Sequence, residues 1–146
     1  MDRIGFLQTR PLLLLTLLLL LLPYRSNAEE QAESPIPGAS VARAQFTTDI
    51  ENREPVDRVV TLDNSSSSIY FFSELRGLEG RTVTHRWEYG GRVISEIPFE
   101  VGGSRWRVYS KKSLGSEMLG KWTVIIVDQS GWPLHASIFE YIARDE

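Results

Sequence analysis

The chain has 146 residues and no cysteine, and its 16 basic and 19 acidic residues give a formal net charge of −3. The lack of cysteine excludes disulfides and thiolate chemistry, so burial has to stabilise the fold. The negative charge argues against nucleic acid as a partner.

Residues 1–28 have the pattern of an export signal. Basic residues precede a leucine-rich run at residues 12–22, and Ser26 and Ala28 place small residues at the −3 and −1 positions of a cleavage site. The run is too short for a bilayer, which needs roughly 20 apolar residues. We therefore predict a cleaved signal peptide and an exported protein, with membrane contact only through this segment if it is uncleaved.

A polar segment follows the predicted signal peptide. Its sequence, "EEQAESPIPGAS", contains two prolines and one glycine, which predicts a disordered spacer over residues 29–41. Residues 42–146 then have the length of one ordinary domain with a single core. Without residues 1–28 the net charge is −5, which again excludes nucleic acid as the expected partner.

The remaining sequence predicts strands separated by turn residues at fairly even spacing. The segments are rich in Val, Ile, Thr and aromatic residues, and only residues 113–119 could hold a helical turn. This pattern predicts an all-β fold, an antiparallel β-sandwich of about seven to eight strands, immunoglobulin-like in general architecture. The predicted strands are residues 42–50, 56–62, 68–75, 81–88, 92–101, 105–110, 121–127 and 134–142.

The stretch "THRWEYGG" at residues 84–91 predicts a hairpin with Trp87 in the core. A two-residue turn would place Ile97 and Phe99 on the polar face of the sheet. A three-residue loop that pairs Glu88 with Arg92 places them on the face of Trp87 instead. Because burial favours the second register, the three-residue loop is the prediction.

Catalysis has little support in the sequence. His85 alternates with apolar residues, which is typical of a buried and hydrogen-bonded histidine, and His135 follows a turn. No zinc-ligand spacing and no phosphate-binding glycine loop is present. We predict a protein that is not an enzyme and has no cofactor or metal. The alternative is a small envelope hydrolase or metal-binding protein that uses His85 or His135.

Ligand binding is better supported. Arg105, Arg107 and Tyr109 alternate onto one strand face, and arginines beside an aromatic ring can bind a sugar or a carboxylate-bearing ligand. The competing interpretation is a solvated outer face on which Glu96 and Glu100 balance the positive charge of the arginines.

Trp132, next to a proline in a turn, is the second candidate for a binding residue. An exposed tryptophan at such a position can stack on a sugar ring or anchor a partner protein. Alternatively, Trp132 covers the end of the core. The expected partners are therefore a glycan or another protein.

Three stretches carry a family resemblance. "FTTDIENREPVD" at residues 46–57, the stretch at residues 69–114, which contains "RTVTHRWEYGGRVISEIPFEVGGSRWRVYSKKSL", and "GKWTVIIVD" at residues 120–128 resemble the bacterial domain of unknown function 2914. The resemblance implies a bacterial source and hence a periplasmic or secreted protein of the cell envelope, so the expected partner is an envelope glycan or another envelope protein. It implies no activity and no catalytic residues. We predict an exported, non-catalytic binding or interaction module of the bacterial cell envelope. A structural or assembly domain that binds another envelope protein remains the alternative.

Overall fold

The computed structural model describes residues 36–145, so the predicted signal peptide and the first part of the predicted spacer lie outside the described residues. No helix long and apolar enough to cross a membrane occurs in this described range. The range is all-β, as predicted. Its ten strands are β1 (Ser40–Thr47), β2 (Ile50–Glu51), β3 (Glu54–Pro55), β4 (Thr61–Asp63), β5 (Ser68–Arg76), β6 (Thr82–Tyr89), β7 (Arg92–Glu100), β8 (Arg105–Ser113), β9 (Gly120–Asp128) and β10 (Pro133–Ile142).

Two sheets form the sandwich, and β2 and β3 form a small separate hairpin. One sheet has the order β1-β5-β8, and the other has the order β4-β10-β9-β6-β7. All neighbours are antiparallel except β4 and β10, which are parallel. The first sheet matches strands A-B-E of an immunoglobulin domain, and β10-β9-β6-β7 match G-F-C-C′. The predicted immunoglobulin-like sandwich is therefore confirmed.

Aromatic side chains fill the space between the two sheets. Trp87 on β6 and Trp122 on β9 are fully buried, together with Phe46, Phe71 and Phe139. Each such side chain removes 150–250 Å² from water, so this cluster contributes a large part of the hydrophobic stabilisation. The indole Nε1 of Trp122 donates to the carbonyl oxygen of residue 118 over 3.0 Å, which fixes the chain where it enters β9.

The β6–β7 hairpin has a different turn from the predicted one but the predicted faces. Tyr89 pairs with Arg92, so the connection is a two-residue glycine turn and the predicted three-residue loop is wrong. This turn alone would direct Ile97 outward. A β-bulge shifts the register by one residue, so Trp87 pairs with Ser95, and Ile97 packs against the core after all.

The predicted strand at residues 56–62 is wrong over most of its length. β4 begins only at Thr61, and the preceding chain makes one isolated bridge, between Val59 and Phe46. The chain before it forms the β2–β3 hairpin, whose two tip residues have positive φ angles of 51° and 63°. The predicted first strand ends early, at Thr47, because the chain bends at residues 48 and 49, where the Asp57 carboxylate accepts hydrogen bonds from Thr47 and Thr48.

The start of the domain also differs from the expected boundary. β1 begins at Ser40, earlier than the expected start at residue 42. Ile36 and Ala39 pack against the core, and the backbone N–H of Ala39 donates to the carbonyl oxygen of Ile36 over 3.1 Å. The last residues of the expected spacer are therefore ordered, because they bury apolar side chains. The region at residues 113–119 contains the end of β8 and a turn at residues 116 and 117, and no helix is present there.

Candidate functional site

Charged side chains cover the outer face of the β1-β5-β8 sheet, where the sequence placed the candidate site. The strand register aligns Arg43 on β1, Glu74 on β5 and Arg107 on β8 in one row across the sheet. In the next row, Arg76 on β5 lies opposite Arg105 on β8. Because side chains alternate along each strand, all five point to the same outer face.

Glu74 is the centre of this charge cluster. Its side chain is only 2% exposed, and it forms ion pairs with Arg43, Arg76 and Arg105 at 2.9 Å each. Hydrogen bonds from Arg105, and after it from Arg43 and Arg76, lower the pKa of Glu74 to about 2 against the opposing effect of burial. The carboxylate is therefore ionised at neutral pH and holds three guanidinium groups in place.

The β2–β3 hairpin adds a second carboxylate. Glu54 forms ion pairs with Arg43, over 2.8 Å, and with Arg107, so the hairpin is attached to β1 and β8 across the strand between them. Hydrogen bonds from these two arginines lower the pKa of Glu54 to about 2. Phe72 on β5 is fully buried beneath this cluster, and the guanidinium of Arg43 lies over its ring, 4.9 Å from the ring centroid.

The carboxylates that balance the charges of Arg105 and Arg107 are therefore Glu74 and Glu54, and not the two that the sequence suggested. Glu96 and Glu100 lie on β7 of the other sheet, where Glu96 pairs with Arg86 and Glu100 accepts from Thr82. We call the cluster the arginine face. It consists of Arg43, Arg76, Arg105 and Arg107 with Glu54 and Glu74, so four guanidinium groups meet two carboxylates and leave a formal charge of +2.

Aromatic side chains continue the arginine face along β5 and β8. Tyr109 is 42% exposed, and its ring lies edge-on to that of Tyr70 at a centroid distance of 6.4 Å. The Nζ of Lys111 is 5.1 Å from the ring centroid of Tyr70. The structure therefore places Tyr109 in the row next to Arg107, with a further cation beyond it.

Trp132 does not belong to the arginine face. It is half-buried in the turn between β9 and β10, which belong to the other sheet. Its backbone N–H donates to Oδ1 of Asp128 over 2.9 Å, and its indole Nε1 is buried without a hydrogen-bond partner in the described chain. The predicted site residues therefore divide into two separate places, with Arg105, Arg107 and Tyr109 together and Trp132 apart.

The two histidines occupy different environments. His85 is buried in the core, where its ring nitrogens hydrogen-bond to Ser73 over 2.8 Å and to Ser110 over 2.9 Å. Burial lowers the pKa of His85 to about 3, so the ring is neutral at physiological pH. His135 lies exposed on β10, and burial of part of its ring lowers its pKa as well. Residues 36–145 contain no cluster of three side chains suited to hold a metal ion.

Sequence reasoning missed the two residues that organise this surface, Glu54 and Glu74. Glu74 falls on a strand whose other residues are mostly apolar, and that isolated carboxylate within "IYFFSELR" was the available signal. Glu54 gave no comparable signal because its role depends on how the β2–β3 hairpin folds back over the sheet.

Comparison with known proteins agrees with the resemblance in the sequence. A model of the family described as Protein of unknown function (DUF2914) matches residues 80–141. The match runs from just before β6 into β10 and includes Arg105, Arg107 and Tyr109. No curated protein matches the chain.

Proposed function

The chain belongs, over residues 80–141, to the DUF2914 family of unknown function, and from this premise we propose that it is an exported, non-catalytic binding module of the bacterial cell envelope. Its contact surface is the arginine face, and its ligand is an anionic glycan.

The observation that carries the proposal is the fixing of exposed guanidinium groups by one buried carboxylate. The side chains of Arg76 and Arg105 are 52% and 58% exposed, although both are held by Glu74. Holding a long side chain in one rotamer before binding removes part of the entropic cost of association. The Nε and Nη2 atoms of Arg105 donate hydrogen bonds to Glu74. Within residues 36–145 its Nη1 atom donates none, so the Nη1 hydrogens remain for a ligand.

Charge and aromatic surface together support an acidic sugar. The arginine face keeps a formal charge of +2 after its internal ion pairs are counted, which favours an anion. Arginine binds carboxylate and phosphate groups through two parallel hydrogen bonds. The exposed ring of Tyr109 offers an adjacent surface on which a sugar ring can stack.

The non-catalytic part of the proposal follows from the residue types at this surface. The arginine face offers guanidinium groups, carboxylates with lowered pKa and a tyrosine, which suit binding and charge recognition. The histidines offered as alternatives are elsewhere, and His85 has no contact with solvent. A hydrolase of the serine–histidine type needs an accessible nucleophile aligned with a base, and the serines that His85 contacts, Ser73 and Ser110, are buried with it.

The test is binding of charged and neutral oligosaccharides by calorimetry. We expect acidic oligosaccharides, carrying uronic acid or phosphate groups, to bind with an affinity that falls with salt, and neutral ones of the same length to bind more weakly. Arg76→Gln combined with Arg105→Gln should weaken binding about tenfold or more. The matched control is Arg92→Gln, an exposed arginine on β7 of the other sheet. Equal binding by the double variant and the control would show that the arginine face is not the ligand site.

Export is tested separately. The leucine-rich run at residues 12–22 and the small residues Ser26 and Ala28 support a cleaved signal peptide. We expect the protein in the periplasmic fraction of a bacterial host, with an N-terminus at Glu29 by chemical sequencing. A protein that stays in the membrane fraction with residues 1–28 attached would show that the segment is an anchor.

A further inference from the structure

A second surface lies at the opposite side edge of the sandwich from β7 and β8, between β1 and β10. β10 is ten residues long, but its outer neighbour β4 pairs only with Glu140, Tyr141 and Ile142. The N–H of Glu140 also donates to the carbonyl oxygen of Val60, and the backbone contact between the two segments stops there. Within the described chain, residues 133–138 therefore have β9 on one side and no strand on the other.

β1 faces this open edge with an edge of its own. It pairs with β5 on one side, and on the other side its only strand-like pairing within residues 36–145 is the isolated bridge between Phe46 and Val59. A groove of about 300 Å³ lies between the two edges, with the chain at residues 58–60 forming one of its walls. We call it the edge groove.

The lining of the edge groove combines apolar and basic side chains. Val60 and Ile138 are 63% and 52% exposed, which is high for branched apolar side chains. Arg58 also lines the groove, and it forms no ion pair with any carboxylate of residues 36–145. Gln45, His135 and Ser137 supply the rest of the polar lining, and a 3.0 Å hydrogen bond joins His135 to Ser137. Among the described residues, no acidic one lines the groove.

We propose that the edge groove binds an extended acidic peptide segment of a partner protein by strand addition to β10. The unpaired part of β10 supplies backbone donors and acceptors, which bind any extended peptide irrespective of its sequence. The apolar side chains select alternate apolar residues in the peptide, because successive side chains of a strand point to opposite faces. The unpaired Arg58 selects a carboxylate, and this charge complementarity determines the acidic character of the partner.

The edges at the other side of the sandwich are less suited to such a partner. β7 contains Pro98, which lacks the N–H that a sheet neighbour would need. β8 carries several basic side chains, and the guanidinium of Arg53 donates to the carbonyl oxygen of Arg107 over 3.4 Å. Charges, proline and side-chain caps protect edges against pairing. The open part of β10 has Pro133 only at its first position.

The experiment uses a library of random twelve-residue peptides displayed on phage and selected on the purified protein. We expect enriched peptides that alternate β-branched residues with at least one Asp or Glu. Bound to the protein as synthetic peptides, they should slow amide hydrogen exchange at residues 134–138. Binding should weaken about tenfold in Arg58→Gln and in Val60→Glu, since the first removes the cation and the second repels the peptide carboxylate.

Matched controls separate this site from general charge effects and from the arginine face. Val93→Glu places the same change at a similarly exposed valine, 52% exposed, on β7, and it should leave peptide binding unchanged. Arg105→Gln should also leave it unchanged, so the edge groove and the glycan proposal can fail independently. Selection of no peptide, or equal binding by Val60→Glu and Val93→Glu, would overturn the proposal. So would a concentration-dependent dimer that only Val60→Glu disrupts, because the occupant would then be a second copy of the chain.

Discussion

Replacement of Glu74 by glutamine tests the physical basis of the arginine face. The substitution keeps the shape of the side chain and removes its charge. In the native protein the carboxylate accepts hydrogen bonds from Arg43, Arg76 and Arg105. A glutamine has one acceptor oxygen in place of two and brings two N–H donors towards the guanidinium groups. The variant therefore loses ion pairs and gains unfavourable donor–donor contacts.

The expected destabilisation follows from the exposure of the partners. Exposed pairs of arginine and carboxylate contribute ~0.2–1 kcal/mol each, and Glu74 makes three of them. Removing one member of a fully buried ion pair costs roughly 3–5 kcal/mol. That larger figure does not apply, because the arginine side chains are 38–58% exposed and regain water. We expect Glu74→Gln to lower the free energy of unfolding by about 0.6–3 kcal/mol, or roughly 2–12 °C in Tm.

The assay is thermal and urea unfolding of wild type and variant at pH 7. Glu96→Gln is the matched control, since Glu96 is exposed and forms one ion pair, with Arg86. The control should cost ~0.2–1 kcal/mol, the contribution of one exposed pair. A Glu74→Gln variant no less stable than Glu96→Gln would refute the view that Glu74 organises the surface.

The pH dependence gives a second and independent check. The folded pKa of Glu74, about 2, lies below the unfolded value, so its stabilisation is complete above about pH 4.5 and is lost as the pH falls through 2. The difference in unfolding free energy between wild type and Glu74→Gln should therefore shrink between pH 5 and pH 2. A difference that stays constant over this range would mean that the lost stability comes from packing and not from charge.

Two further predictions concern the backbone and the core. Gly77→Ala should destabilise strongly, by about 3 kcal/mol or more, because φ is +67° and the new Cβ would overlap the carbonyl oxygen of Gly38. Gly80→Ala, at φ +75° but with open space, should cost only ~1–2 kcal/mol, and equal losses in urea unfolding would contradict the clash. His85, with its pKa lowered to about 3 by burial, should show no ring titration by NMR between pH 7.5 and 4.5. Because unfolded histidine protonates near pH 6.5, stability should fall by about 2 kcal/mol from pH 6.5 to pH 5, and a titration midpoint near 6.5 would show that the ring reaches solvent.

The sequence determined the secondary structure class and which face of most strands is buried, because buried and exposed side chains alternate along a strand in a pattern that can be read directly. It placed Trp87 in the core and Arg105, Arg107 and Tyr109 on one outer face, and the structure agrees. Such patterns are local, since each depends on residues two apart along one strand.

Features that depend on contacts between distant segments could be found only in the tertiary structure. The turn between β6 and β7 was predicted wrongly because a bulge restored the buried face, and burial alone cannot distinguish a longer loop from a bulge. Glu74 and Glu54 became the centre of the arginine face because β1, β8 and the β2–β3 hairpin bring arginines to them across 11 to 53 residues of sequence. The open edge of β10 likewise arises because β4 is short. Local pattern therefore decided which side chains face water, while the pairing of distant strands decided which charges meet and which edge remains open.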